Sequence, residues 1–388
     1  MSPPAGGTFK IRAAATNIYG PGRVSQYDTG NEIYAGASLW GWGQNSSREL
    51  GILDLNPRSS PTQVGSLITW ANVSGGQTHS QAVKSDGTLW VWGAGGQGRL
   101  GIGSSPVYRS SPVQVGALTN WYQVSAGGPN GAAIKTNGTL WTWGSYTALG
   151  DGTTVDKSSP VQIGALTDWY LVSGSKGSEF FTSVKTDKTL WAWGINTRGQ
   201  LGDGTRTARR SPVQVGSLTN WATVFSGGEF CAAVKTDGTL WAWGYNNEGQ
   251  LGQGNTLPRS SPVQVGALTN WSKISAGSNF CISIKTDGSL WAWGKNSGGQ
   301  FGNGTQVNQQ SPVQSGSLTN WLSVSSGAGF TVATKTDGTM WAWGYGSSGR
   351  LGDGTSNYRS SPVQIGALTN WYQVSTGQAH TLALYGVV

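Results

Sequence analysis

Five residues, Leu-Trp-Ala-Trp-Gly, stand at 190–194, 240–244 and 290–294, and close variants stand at 39–43, 89–93, 140–144 and 340–344. The leading tryptophans are Trp40, Trp90, Trp141, Trp191, Trp241, Trp291 and Trp341, spaced 50, 51, 50, 50, 50 and 50 residues apart. Seven copies at one period mean that one structural unit is built seven times and stacked on itself. The period overrides the two or three ordinary domains that 388 residues would otherwise suggest.

Within one unit four short segments have strand character: 221–226, 230–235, 239–244 and 262–266. Each is bounded by Gly, Asp, Asn or Pro. Thr236-Asp237-Gly238 is a tight turn that pairs the second and third segments as a hairpin, because glycine takes a positive φ at little cost. The turn recurs at Asp86-Gly87, Asn137-Gly138, Asp287-Gly288 and Asp337-Gly338, whereas one unit has Asp187-Lys188, which strains the turn if its geometry is kept. Four antiparallel strands repeated seven times predict an all-β, seven-bladed propeller. The two rings of Trp-x-Trp lie on one side of a strand, and each buries roughly 150–250 Å². Trp40, Trp90, Trp141, Trp191, Trp241, Trp291 and Trp341 are therefore expected to cement blade to blade. A third tryptophan follows Leu-Thr-Asn or a variant of it in every unit, and three per unit account for all 21.

The ends are complementary. The last unit stops at Leu382-Ala-Leu-Tyr385 without its Trp-x-Trp strand, and the first repeat element, 38–43, is that strand without a partner before it. The N-terminal strand is expected to complete the C-terminal blade and close the ring. Residues 37–388 then form the propeller. Residues 1–36 do not match the repeat, and Phe9, Ile11, Ile18 and Tyr19 give them apolar side chains to bury, so they read as an anchoring arm.

Composition narrows the function. Only 11% of residues are charged, against roughly 25% in an average soluble protein. The net charge of +8 is spread along the chain without a basic block, which argues against nucleic acid as the partner. Cys231 and Cys281 occupy equivalent positions in adjacent units and read as buried free thiols rather than a disulfide. The first residues lack a basic and then apolar leader, and no run of about 18 apolar residues is present. Synthesis in the cytoplasm is expected, with no membrane, which is compatible with a later life in a particle released by lysis.

Period alone leaves kelch repeats as a rival, but the recurring string here is Trp-Gly-x-Asn-x-x-Gly-Gln-Leu-Gly-x-Gly followed by Ser-Pro-Val-Gln, as at 193–204 and 243–254. Over residues 38–385 this resembles the regulator of chromosome condensation repeat family, most closely its bacterial and viral members. The resemblance implies a seven-bladed propeller acting as a rigid disc that binds other proteins. Its members serve as exchange factors for a small nuclear GTPase, as plant ultraviolet sensors and as inhibitors of β-lactamases. The exchange factors' wedge-like insertion has no counterpart, since units differ by at most two residues in any segment. The sensors' Gly-Trp-Arg-His-Thr motifs are absent, with Gly227-Gly-Glu-Phe-Cys and Gly377-Gln-Ala-His-Thr at the matching places.

Candidates for chemistry are few. His79 and His380 sit where other units hold Phe or Asn, and read as packing residues. Asp151, Asp203 and Asp353 lie in Gly-Asp-Gly-Thr loops, but other units place Ile102, Gln253 or Asn303 there, so these carboxylates read as loop caps. No metal, cofactor or catalytic set is expected. Variation concentrates in two loops per unit, after the first strand and before Ser-Pro-Val-Gln, and strand alternation puts both on one face. That face carries a cation per unit, Arg58, Arg109, Lys157, Arg209, Arg259 and Arg359, with Gln309 as the exception and Arg206 and Arg210 in addition. Two readings stand. The cations bond loop carbonyls of the neighbouring blade, or they form a ring that attracts an acidic protein partner. The function expected is a non-enzymatic protein-binding or structural module, docked through its arm on a larger assembly such as a bacteriophage virion. A regulatory inhibitor of a bacterial enzyme is the alternative, and an exchange factor is disfavoured.

Overall fold

The computed structural model describes residues 37–105 and 107–386. The arm residues Phe9, Ile11, Ile18 and Tyr19 lie outside the described residues. Each blade is a four-stranded antiparallel sheet read from the axis outward, for instance Trp221–Ser226, Phe230–Lys235, Leu240–Gly244 and Arg259–Gln264. Seven such blades make a closed seven-bladed propeller. Blades one to six occupy 70–114, 121–162, 169–214, 221–264, 271–314 and 321–364.

Blade seven joins the two ends of the chain. Its inner strands are Trp371–Thr376 and His380–Gly386, and its outer strands are Ala37–Gly43 and Arg58–Gln63. Ala37–Gly43 pairs with His380–Gly386 over seven consecutive positions, from Ala37 opposite Gly386 to Gly43 opposite His380. The closure read from the sequence is therefore present, and two strands rather than one cross the seam.

The sheet differs from expectation at its rim. The outer strand begins at the cation, at Arg259, and ends at Gln264, rather than covering 262–266. Arg259 lies opposite Gly244, and the register slips before Ala242 pairs with Val263. A bulge thus admits the extra residues that the Ser-Pro-Val-Gln string hid.

Blades adhere through unlike faces. One face presents Trp221, Trp243 and Cys231. It packs on Leu171, Phe180, Val184 and Leu190 of the preceding blade, and the arrangement repeats around the ring in seven clusters. The innermost tryptophan stands edge-on to both others, as Trp221 does to Trp241 and Trp243 at 6.0 and 6.1 Å. The leading tryptophans, Trp40 through Trp341, pack on these clusters while remaining partly exposed. The fully buried cement is the second of each pair, Trp42 through Trp343. In six blades that indole also donates across the interface, as Trp243 Nε1 does to the Gln200 carbonyl at 3.0 Å.

The hairpin turns hold as read. Asp237 Oδ1 accepts the amide and hydroxyl of Thr239 at 3.0 and 2.6 Å, and Thr239 Oγ1 accepts Trp241 Nε1 at 2.9 Å. Gly238 takes φ +76°, and Lys188 keeps the same turn at φ +64°, a conformation costing an L-residue roughly 1–2 kcal/mol. Cys231 and Cys281 are buried free thiols. No helix among the described residues is long and apolar enough to cross a membrane.

Candidate functional site

Strand alternation sends the first-to-second and third-to-fourth connections of every blade to one face. The Asp-Gly turns and the Ala-Leu-Thr-Asn turns go to the other. The variable loops therefore share a face, and a fixed frame supports them. Asn196, fully buried, accepts the Leu201 amide at 3.0 Å through its side-chain oxygen. Its Nδ2 donates to Asp203 Oδ1 and to the carbonyls of Thr205 and Thr207. Gln200 Oε1 caps the Arg198 amide at 2.8 Å. Gly202, at φ +75°, lies so close to Trp243 of the next blade that a Cβ would sit 2.6 Å from the indole nitrogen. In blades three, four and five the Asn, Gln and Gly of the repeated motif thus brace the loop from inside and leave its tip free to vary.

The cation ring departs from the carbonyl reading made of it. Arg209 reaches the Asp203 carboxylate of its own blade at 2.7 Å, and Arg359 reaches Asp353 at 2.8 Å. Lys157 pairs with Asp151 at 3.6 Å and Arg58 with Asp54 at 2.5 Å. Where the acid is replaced by Gln253, Arg259 Nε donates to that amide at 3.3 Å. The partners are side chains of the same loop, not carbonyls of the neighbouring blade, because the bulged outer strand begins at the cation and folds the loop back over it. The loop-cap role read for the aspartates is also present: Asp203 Oδ1 accepts the Thr205 amide at 3.0 Å. Burial acts to raise the Asp203 carboxyl, but hydrogen bonds from Thr205 and Arg209 outweigh it and hold the group below the usual range. These five cations are engaged by side chains of their own loops. Arg109, Arg206 and Arg210 form no ion pair among the described residues, and Arg206 and Arg210 are exposed.

The loop tips carry a second ring that variation alone did not identify. Six of the seven third-to-fourth connections expose a large apolar side chain: Leu53, Tyr108, Val155, Leu257, Val307 and Tyr358 are 52–75% exposed. The seventh, in blade three, carries Arg206 instead. Arg48 of the blade-seven loop lies over the Tyr108 ring at 4.9 Å, so one rim residue is held by its neighbour. The opposite face has its own ring, one half-exposed leucine per blade in the Ala-Leu-Thr-Asn turns, Leu118 and Leu218 among them. That ring is nearly uniform in sequence, whereas the variable rim changes side chain from blade to blade.

His79 and His380 are fully buried at the positions where other blades hold Phe180, Phe230, Phe280 and Phe330. Burial pushes both down to about 3, so both are neutral near pH 7. They pack, as the sequence implied. Among the described residues no three His, Cys, Asp or Glu converge on a possible metal position.

One structural role escaped the sequence reading. Lys235 lies over Trp241 at 3.7 Å and Trp221 at 4.9 Å, and Lys84, Lys135, Lys185, Lys285 and Lys335 repeat the arrangement. In blade seven Tyr385 takes this place against Trp371, with ring centroids 5.2 Å apart. The signal was an invariant lysine two residues before each Asp-Gly turn or its variant.

Comparison with known proteins agrees with this geometry. A family model described as the RCC1-like domain matches residues 119–383. One described as the regulator of chromosome condensation (RCC1) repeat matches 37–83 and 86–134. The RCC1 domain-containing protein RUG3, mitochondrial, of Arabidopsis thaliana is 38% identical over 113 residues, which is 28% of this chain and 25% of that protein. The regulator of chromosome condensation of Xenopus laevis is 29% identical over 119 residues, 30% of this chain and 28% of that one. The matched segments thus span about a quarter of these relatives' length. Among solved structures, Prp20p of Saccharomyces cerevisiae superposes with a TM-score of 0.80 at 20% identity, covering 92% of this chain and 93% of that one. Its structure is described together with its binding properties to Gsp1p and histones. Human WBSCR16 superposes with a TM-score of 0.80 at 18% identity, covering 90% and 98%. These structural likenesses establish a shared fold.

Proposed function

The chain belongs to the RCC1-like domain family, and on that premise we propose that it is a non-enzymatic scaffold that binds a protein partner through its variable loop face. The observation that carries this reading is the rim: six exposed apolar side chains, different from blade to blade, around a weakly charged disc. Exposed apolar side chains gathered on one face make that face a candidate for interaction. An interface core enriched in aromatic residues and arginine, and poor in other charges, has the same composition. Arg206 and Arg210 supply free positive charge in the one blade whose loop lacks an apolar tip. An acidic patch on the partner opposite blade three fits that sector.

The larger assembly we propose is a bacteriophage virion, with the disc as a capsid decoration or tail component and residues 1–36 as its attachment. Near-uniform repeats, 11% charged residues and a leading segment outside the repeat support this. Synthesis in the cytoplasm, without membrane, belongs to the same reading. Mass spectrometry of particles purified from the source tests it: the protein is expected as a stoichiometric component, and its absence refutes the virion role. The rim is tested separately. Serine at Leu257, Val307 and Tyr358 together is expected to abolish partner capture while the melting temperature stays within a few degrees of wild type. Undiminished capture by that variant refutes the use of this face. The rim would serve an inhibitor of a bacterial enzyme equally well, and the captured partner's identity separates the two roles.

A further inference from the structure

The central channel holds one departure from sevenfold repetition. Six innermost strands place a serine at one position: Ser74, Ser125, Ser173, Ser275, Ser325 and Ser375. Blade four has Phe225 there. Each serine oxygen accepts a backbone N–H from the next blade's innermost strand, as Ala126 donates to Ser74 at 2.9 Å and Gly75 to Ser375 at 3.2 Å. This belt latches neighbouring blades at the axis. It also fixes the hydroxyls as acceptors on their outer side, which leaves their own protons available toward the channel. Ser325 is already engaged with Thr376 Oγ1 at 3.0 Å.

The belt encloses a cavity of about 30 Å³, lined by these serines, Phe225 and Lys176. That volume admits one guest of water or monoatomic size. Lys176 comes from a two-residue extension of the blade-three loop, between Gly174 and Phe180, that no other blade has. Its Nζ donates to the Ser326 carbonyl at 3.2 Å and to Thr376 Oγ1 at 3.0 Å, on blades six and seven. The side chain therefore crosses the channel. An ammonium has three donors, and two are accounted for. No carboxylate among the described residues pairs with it, and burial alone pushes its pKa down to about 7. A buried cation without a counter-charge is costly. Here it faces a ring of hydroxyl donors in a narrow space on the axis.

We propose that the channel binds a single halide-sized inorganic anion, held by the Lys176 ammonium and the serine hydroxyls. The anion compensates the buried charge and pins the blade-three loop across the centre of the variable face.

Crystals of the full chain soaked in sodium bromide, with anomalous data at the bromine edge, test the site. The expected result is one peak on the axis within hydrogen-bond reach of Lys176 Nζ, lost in Lys176→Met. Axial density without anomalous signal means water alone and overturns the assignment, as does a peak that persists in the Met variant. In solution, chloride is expected to raise the melting temperature over gluconate at equal ionic strength, by mass action on the folded state. That shift is expected to vanish in Lys176→Met and to shrink in Ser275→Ala, which keeps the lysine and so serves if the Met variant does not fold. Bromide in the crystal with no chloride-specific shift in the wild type is binding at crystal concentration only, and also overturns it.

Discussion

Replacing His79 and His380 by phenylalanine is expected to remove most of the acid sensitivity of the fold between pH 7 and pH 5. Both imidazoles are buried and pushed down to about 3, burial being the leading cause. In the unfolded chain each titrates near 6.5. A folded-state value below the unfolded one means that the unfolded state binds more protons in between. Stability is therefore full above about pH 6.5 and is lost as pH falls towards about 3. At 1.36 kcal/mol per pH unit, each histidine costs about 2 kcal/mol at pH 5, and the pair about 4 kcal/mol. Phenylalanine fits because four blades carry it at this position, fully buried. It meets the same glycine, too: Gly227 faces Phe230 as Gly377 faces His380. The partners left behind are modest. Ser80 Oγ keeps its bond to the Glu49 carbonyl at 2.7 Å after losing His380, and Gln81 loses a 3.2 Å contact with His79. Urea unfolding of both proteins at pH 7.5 and 5.0, followed by tryptophan fluorescence, measures the difference. The wild type is expected to lose about 4 kcal/mol more than the double variant over that interval. Equal losses would refute the account of these residues as neutral packing groups.

Three further outcomes follow from the packing. Deleting 38–43 removes the strand that spans the seam, including Trp42, whose burial alone is worth about 3–5 kcal/mol; a sharply lower melting temperature is expected, and an unchanged one contradicts closure through blade seven. Lys285→Tyr copies the Tyr385 arrangement and is expected to leave thermal stability nearly unchanged, whereas Lys285→Ala forfeits a buried cation–π contact of about 1–2 kcal/mol. Gly202→Ala combines a positive φ with a Cβ driven against Trp243 and is expected to cost about 3 kcal/mol in chemical denaturation, while Gly216→Ala, with open space around it, bears only the strain of its φ.

The ring and its closure were legible because both rest on counting. A strand short of a partner at each end of a 50-residue period can only be completed by the other end. What stayed hidden depends on how the chain folds back on itself. Arg209 and Asp203 are six residues apart in a loop, and nothing in their spacing says that the loop turns the carboxylate onto the guanidinium. The bulge opposite Gly244 moved the outer strand three residues towards its N-terminus, since Ser-Pro-Val-Gln reads as a strand start. Lys235 is the last residue of a strand segment in the sequence, and only the packed structure shows its amine over two indoles. Lys176 lies in a two-residue extension whose sequence carries no sign that it points down the axis. The rim was half legible. Variation located the loops, but the constancy of an exposed apolar tip across unrelated loop sequences appeared only with exposure in hand.

The central claim is that the variable rim, not the uniform face, meets the partner. Photo-crosslinking in the source cells tests it most directly, with benzoylphenylalanine placed at Tyr108, Val307 or Tyr358 on the rim and at Leu118 or Leu218 opposite. Rim positions are expected to crosslink to one and the same protein, and Leu118 and Leu218 to none. Crosslinks to that protein from the leucine face, with none from the rim, would contradict the account.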